Sequence, residues 1–227
     1  GGAAMNPFRC EHGVLVPLDR SDVDTDQIIP KQFLKRIERA GYGSFLFNDW
    51  RYDETGAERP DFVLNRAEFR AGTLLVAGKN FACGSSREHA VWALADQGFR
   101  AVIAPSFADI FRNNALKVGL LPVILSDHEV RQLLDLATEQ PGVVGIVDLE
   151  AQTVAAGDLR FHFSLDAFER RCLLDGLDDI GLTLIHEAEI TAFEATRPTW
   201  LPDLSQANSE PQVRPASSAA APQTGTA

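Results

Sequence analysis

The feature that most constrains this chain is an alternation that starts at residue 73. Thr73-Leu74-Leu75-Val76-Ala77 is a short apolar run with the length and composition of a buried strand. A stretch near 86–97 follows, centred on the helix formers Ala90-Val91-Trp92-Ala93-Leu94-Ala95. Next come a strand at Ala101-Val102-Ile103-Ala104, a helix near 107–117 and a strand at Pro122-Val123-Ile124-Leu125. Strand, helix, strand, helix, strand in this spacing predicts βαβ units on a parallel sheet. A further helix over 128–139 is announced by Ser126-Asp127 and stopped by Pro141-Gly142.

The flanks read differently. Val14-Leu15-Val16-Pro17-Leu18 predicts a strand, and a polar run through Asp24-Thr25-Asp26 follows it. Residues 31–39 are basic and end at Gly41-Tyr42-Gly43, a loop or helix stop. Residues 48–60 are aromatic and charged without a period and read as loop. Short strands at 143–147, 153–154 and 160–163 surround the turn signal Gly157-Asp158, which predicts a β-rich meander rather than more βαβ. Residues 166–175 and 186–195 read as helices. The fold class expected is therefore α/β, with parallel βαβ units and a β-rich C-terminal part. Gly1-Gly2-Ala3-Ala4 reads as an expression scar, residues 5–196 as a single domain, and residues 197–227, rich in Pro, Ala, Ser, Gln and Thr, as a disordered tail.

Composition removes several functions. The net charge of −11 argues against a nucleic-acid partner, which needs a concentrated basic surface. No apolar run is long enough to span a bilayer, and no signal peptide is evident, so a cytoplasmic protein without a membrane partner is expected. Cys10, Cys83 and Cys172 are odd in number and widely separated, which excludes a disulfide framework and shows no metal or iron–sulfur spacing. Cys10 and Cys172 read as buried free thiols, Cys83 as a packing residue. The five histidines form no His-x-x-x-His pair, so no metal is expected on this chain.

Cys83-Gly84-Ser85-Ser86-Arg87-Glu88-His89 sits at a strand-to-helix junction, where free N–H groups and the positive end of the dipole favour an anion. Two hydroxyls and a guanidinium there suit a carboxylate and proton transfer. The plainer reading is that Ser85 and Glu88 form a capping box.

Four separated pieces decide between the two: Asp24-Thr25-Asp26-Gln27-Ile28-Ile29-Pro30, Phe47-Asn48-Asp49-Trp50-Arg51, Gly84-Ser85-Ser86-Arg87-Glu88-His89 and Ala104-Pro105-Ser106-Phe107-Ala108-Asp109-Ile110-Phe111. With Gly119-Leu120-Leu121-Pro122 they resemble, in order and spacing, the small subunits of 3-isopropylmalate dehydratase, relatives of the mobile fourth domain of aconitase. The resemblance runs from about Gly13 to Phe193. It implies the swivelling β/β/α domain and a hydro-lyase that isomerises 2-isopropylmalate to 3-isopropylmalate through isopropylmaleate in leucine biosynthesis. It also implies a separate 3-isopropylmalate dehydratase large subunit carrying a [4Fe–4S] cluster, a small dicarboxylate substrate, and no activity of this chain alone.

The resemblance also implies roles. Ser85 is the base that takes the proton from the carbon beside a carboxylate, and Ser86 donates to the same anion. Arg87 clamps a substrate carboxylate. Asp26 matches an active-site aspartate and orients neighbouring groups, the alternative for Asp24-Thr25-Asp26 being an Asx-type turn with solvated carboxylates. Residues 33–43 correspond to the loop that meets the substrate's variable group. Lys35, Arg36 and Arg39 compete there for the place of an arginine, with Arg36 favoured, and Phe33, Leu34 and Ile37 would meet the isopropyl group. Glu88 and His89 read as supporting or capping residues, and Phe47, Trp50 and Phe107 as packing or interface residues. Alternatives are a small subunit hydrating citraconate or homoaconitate, or a non-catalytic anion-binding or assembly module.

Overall fold

The computed structural model describes residues 5–35 and 41–177. Seven strands form one mixed sheet: β1 (Cys10–Leu18), β2 (Leu74–Ala77), β3 (Ala101–Ala104), β4 (Leu121–Ile124), β5 (Val144–Asp148), β6 (Thr153–Ala156) and β7 (Leu159–His162). Their order is β4-β3-β2-β1-β5-β6-β7. The helices are α1 (Thr25–Ile28), α2 (Asn48–Arg51), α3 (Glu88–Gln97), α4 (Asp109–Lys117), α5 (Asp127–Glu139) and α6 (Ala167–Asp175), with 3-10 turns at Lys31–Lys35, Gly43–Phe45 and Val63–Asn65. No helix among the described residues is long and apolar enough to cross a membrane.

The two expected halves are both present, and β1 joins them. Its second half, from Leu15, pairs in parallel with β2 (Leu15 with Leu74, Leu18 with Ala77). Its first half pairs antiparallel with β5 (Cys10 with Asp148, Val14 with Val144). β2, β3 and β4 continue the parallel side, while β5, β6 and β7 form the antiparallel meander. Every residue of β2 and β3 is buried. That follows from a period of two with both faces covered. Leu75, Ala77, Val102 and Ala104 pack on one face with Ala90, Val91 and Leu94 of α3 and Phe111 and Ala115 of α4. Leu74, Val76, Ala101 and Ile103 pack on the other with Val130, Leu133 and Leu134 of α5 and Leu173 of α6.

α5 starts as read, with a reciprocal capping box between Ser126 and Glu129. Other boundaries differ. β1 begins four residues earlier than expected because β5 recruits polar Cys10-Glu11-His12 as partners. Residues 48–51, read as loop, form α2. Their local pattern is hidden because Phe47 precedes them at φ 51° and the stabilising contacts are distant. The Arg51 guanidinium is buried and donates to Asn65 Oδ1 and Gln97 Oε1, both at 3.0 Å. Asn65 in turn donates to the Arg51 carbonyl at 2.7 Å. Cys10, expected to be buried, is exposed, since it opens β1 at the rim of the meander; all three cysteines are free thiols. The helix read over 186–195 and the tail from residue 197 lie outside the described residues.

The chain after the 31–35 turn returns to α3 at Gly43. A Cβ there would sit 2.8 Å from the Gln97 nitrogen and 2.9 Å from the Asp96 carbonyl carbon, both backbone. The Gly43 N–H also donates to Asp96 Oδ2 at 2.9 Å. Close approach, not a special φ, makes glycine necessary. Gly43→Ala is therefore expected to lower the unfolding free energy by about 1–3 kcal/mol, read as a lower urea midpoint at unchanged slope.

Candidate active site

Three connections leave the carboxyl ends of adjacent parallel strands β1, β2 and β3, the position where open α/β sheets bind ligands. They are held together by backbone pairing that prolongs the sheet. The Cys83 N–H donates to the Val23 carbonyl at 3.1 Å, and the Thr25 N–H to the Cys83 carbonyl at 3.0 Å. On the other side the Phe81 N–H donates to the Ser106 carbonyl at 3.0 Å, and the Ala108 N–H to the Phe81 carbonyl at 3.1 Å. The serine-bearing loop is thus clamped on both flanks.

Between its clamped part and α3 the loop turns sharply. Ala82 at φ 59° and Gly84 at φ 90° both lie in the left-handed region. For Ala82 this is a strained conformation held by its surroundings; for Gly84 it explains the glycine, since any side chain there would be strained. The turn delays the helix. α3 starts at Glu88 rather than near 86, with Arg87 as N-cap in extended backbone (φ −133°, ψ 109°) and no side-chain cap. The capping box read from Ser85 and Glu88 does not form. The box at this site is instead on α1, where the Gln27 N–H donates to Asp24 Oδ1 at 2.8 Å and the Asp24 N–H to Gln27 Oε1 at 2.9 Å.

Ser85 and Ser86 are exposed. With Thr25, Ala82 and Arg87 they line a cleft of about 210 Å³. Ala108, Asp109, Ile110 and Phe111 complete its lining, and Ile110 is exposed. Four of the expected residues therefore meet: Ser85, Ser86 and Arg87 in the cleft, and Asp26 beside them. Arg87 turns from its N-cap position toward α1, where its Nη1 donates to Asp26 Oδ1 and approaches the Ile29 carbonyl at 3.5 Å. The Arg87 side chain is only 9% exposed against 43% for Asp26. Lys31 Nζ lies 3.6 Å from the second Asp26 oxygen. The hydrogen bond from Arg87 holds the Asp26 carboxyl below the usual range against an opposing desolvation, and the charges of Arg87 and Lys31 add to it. Asp24 thus fills the local capping role, while Asp26 makes a long-range pair.

The basic stretch is less complete. Lys35 ends the 3-10 turn Lys31–Lys35, but its side chain and the whole of Arg36 and Arg39 lie outside the described residues, as does Ile37. Phe33 stacks on Phe45 with ring centroids 4.2 Å apart, so it serves the base of this segment. Phe47, Trp50 and Phe107 pack as expected: Phe47 stacks on Trp50 at 5.6 Å, and Phe107 meets Phe111 at 6.0 Å. His89 is wedged between Tyr42 (5.3 Å) and Trp92 (4.7 Å), and burial pushes its imidazole below the usual histidine range. Burial and the nearby Asp24 and Asp22 push the Cys83 thiol up, away from thiolate character. No three His, Cys, Asp or Glu residues among those described come together as a metal set.

Sequence reasoning passed over Thr25 and Ala108. Both stand inside the quoted motifs, where nothing local sets them apart; pairing of distant segments brings them to the same cleft as Ser85.

Residues 5–128 match the aconitase C-terminal domain family, and residues 179–205 match the C-terminal domain of 3-isopropylmalate dehydratase small subunits. Among solved structures, the chain is similar to 3-isopropylmalate dehydratase of Methanocaldococcus jannaschii. The two are 29% identical over 82% of this chain and 99% of that one, with a TM-score of 0.58.

The Asp26–Arg87 pair carries a pH signature. A carboxyl whose folded pKa is lowered contributes stability that is complete above its unfolded value, about 3.9, and is lost as pH falls through the folded value. The stability difference between wild type and Asp26→Asn, from urea unfolding, should be constant from about pH 5 to 7 and shrink below about pH 4. A difference that persists unchanged into acid would mean that the pair does not form.

Proposed function

The chain belongs to the aconitase C-terminal domain family and, within it, to the small subunits of 3-isopropylmalate dehydratase; from that premise we propose that it is one half of a hydro-lyase active site. Closed over a large subunit, it interconverts 2-isopropylmalate and 3-isopropylmalate through isopropylmaleate. The observation that carries this reading is the exposed Ser85 hydroxyl in a small cleft beside a guanidinium, on a loop clamped from both sides. A cleft of about 210 Å³ falls below the roughly 300–1,000 Å³ of a complete small-molecule pocket. That size suits a site that another chain completes.

The reaction removes a weakly acidic proton from the carbon beside a carboxylate while the hydroxyl on the next carbon leaves. Such a step needs a base held rigidly against one carbon. Ser85 supplies the oxygen, and the backbone pairing of residues 81–83 supplies the rigidity. Ser86 donates to the same anionic substrate. Arg87, which lines the cleft with its guanidinium held by Asp26, is assigned the substrate carboxylate. Asp26 fixes the guanidinium and balances its charge before substrate arrives. Lys35, Arg36 and Arg39 are the cations proposed for the far end of the substrate. The described residues hold no ligand set for a cluster, and the [4Fe–4S] centre is assigned to the large subunit, where it would act as a Lewis acid.

The test is anaerobic co-expression with the large subunit encoded beside this chain. Wild type, Ser85→Ala and Arg87→Lys are then compared on 2-isopropylmalate, citraconate and homoaconitate. Turnover of isopropylmalate is expected only from the complex, with kcat lowered about 10²–10⁴-fold in Ser85→Ala and KM raised in Arg87→Lys. Preference for another diacid would keep the residue roles and change the substrate. Full activity in Ser85→Ala, or small-anion binding by the chain alone with no complex formed, would overturn the proposal.

A further inference from the structure

Thr25 is the most deeply buried polar side chain in the cleft wall, at 3% exposure. Both hydrogen-bonding contacts of its hydroxyl belong to Ser85: the main-chain carbonyl at 3.0 Å and Oγ at 3.4 Å. A threonine hydroxyl has one proton and two acceptor lone pairs. It therefore donates to one of these oxygens at a time, and while it donates to the carbonyl it accepts from the Ser85 hydroxyl.

From this arrangement, and resting on the reading of Ser85 as the base, we propose that Thr25 is a positioning residue for proton transfer, its hydroxyl moving between the carbonyl and Oγ of Ser85. With Ser85 neutral, Thr25 donates to the carbonyl, and the Ser85 proton points at Thr25 Oγ1, away from the cleft. Once exposed Ser85 has given its proton to solvent, the Thr25 O–H turns to Oγ and gives the anion a buried donor, stronger there than in water. The substrate C–H bond then breaks and its proton forms the Ser85 O–H bond. The released electron pair becomes the C=C bond as the neighbouring C–O bond breaks and hydroxide leaves. When hydroxide adds back to isopropylmaleate, the Ser85 proton returns to carbon, so each turnover begins and ends with the Ser85 anion. Thr25 returns to the carbonyl and keeps its own proton throughout. Backbone, not side-chain flexibility, fixes the Thr25–Ser85 spacing. Thr25 is the first residue of capped α1, and its N–H is bound to the Cys83 carbonyl two residues before Ser85.

The ionisable groups on the segments that meet at Ser85 are Asp24 at the cap of α1, Asp26 within it and Lys31 paired to Asp26, Cys83 and Arg87 on its own loop, Glu88 and His89 of α3, and Asp109 of α4. All are unchanged in a Thr25 series, so a shift within that series reports on Ser85. In the assembled complex, kcat and KM are measured against pH for Thr25→Val, Thr25→Ala and Thr25→Ser. Loss of the hydroxyl in the first two is expected to lower kcat about ten- to hundredfold and move the rising limb of kcat to higher pH, because the anion has lost its donor. KM should change little, and Thr25→Ser should restore both the rate and the limb.

A lower rate with an unmoved limb, or Thr25→Ser no better than Thr25→Val, would mean that Thr25 only ties down the loop. Failure of both hydroxyl-free variants to assemble would say the same. Ser85→Ala measured alongside separates the two readings. An active Ser85→Ala removes the base itself, whereas an inactive one beside a normal Thr25→Val removes only the Thr25 proposal.

Discussion

The site depends on a short continuation of the sheet beyond its regular strands. Residues 81–83 pair with residues 23–25 on one flank and 106–108 on the other, so three connections behave as a narrow extra layer of strand. Four peptide N–H groups, of Thr25, Phe81, Cys83 and Ala108, find their carbonyl partners there on another connection. Chain that must hold a catalytic side chain is thereby given sheet-like rigidity, while Ser85 and Ser86 stay in solvent just past the last paired residue. Strain at Ala82 is tolerated because both neighbours are tied.

Charge placement repeats the logic. Arg87 is nearly buried, and a guanidinium in that position is costly without a carboxylate. Asp26 provides one at the cleft edge, half exposed and flanked by Lys31. Arg51 shows the other solution: a buried guanidinium bonded by the neutral amides of Asn65 and Gln97. A carboxylate holds the arginine of the site, and amides hold the arginine of the scaffold. The first arrangement leaves a partner that can share its cation with an incoming anion; the second simply joins α2 to the end of α3.

Much of this was legible in the residues. The βαβ alternation from Thr73 and the meander around Gly157 both rest on local periodicity and turn chemistry, and both stand in the structure at nearly the expected bounds. The helix at Ser126 was readable because its cap is local. What could not be read depends on pairing between distant segments. Polar Cys10-Glu11-His12 is strand only because β5 lies beside it. Asn48–Arg51 is helical in a context set by Phe47 and by contacts to residues 65 and 97. At the site, the Ser-Ser-Arg motif and Asp26 were visible as motifs, but their local reading was misleading. Ser85 does not cap α3, because the loop turns at Gly84 and Arg87 reaches across to α1. Thr25 carried no signal of its own; its meaning comes from lying opposite a residue sixty positions later.

The divided allegiance of β1 has a consequence for how the molecule is made. The strand is synthesised before both of its partners, and its parallel partner β2 is complete by Ala77. Its antiparallel partner does not exist until Val144–Asp148 have been synthesised. Throughout the interval the first half of β1 presents an unsatisfied edge, the kind of surface that pairs with the wrong chain. That edge starts with Cys10-Glu11-His12, and a carboxylate and other polar groups there discourage such pairing until the meander arrives to close it.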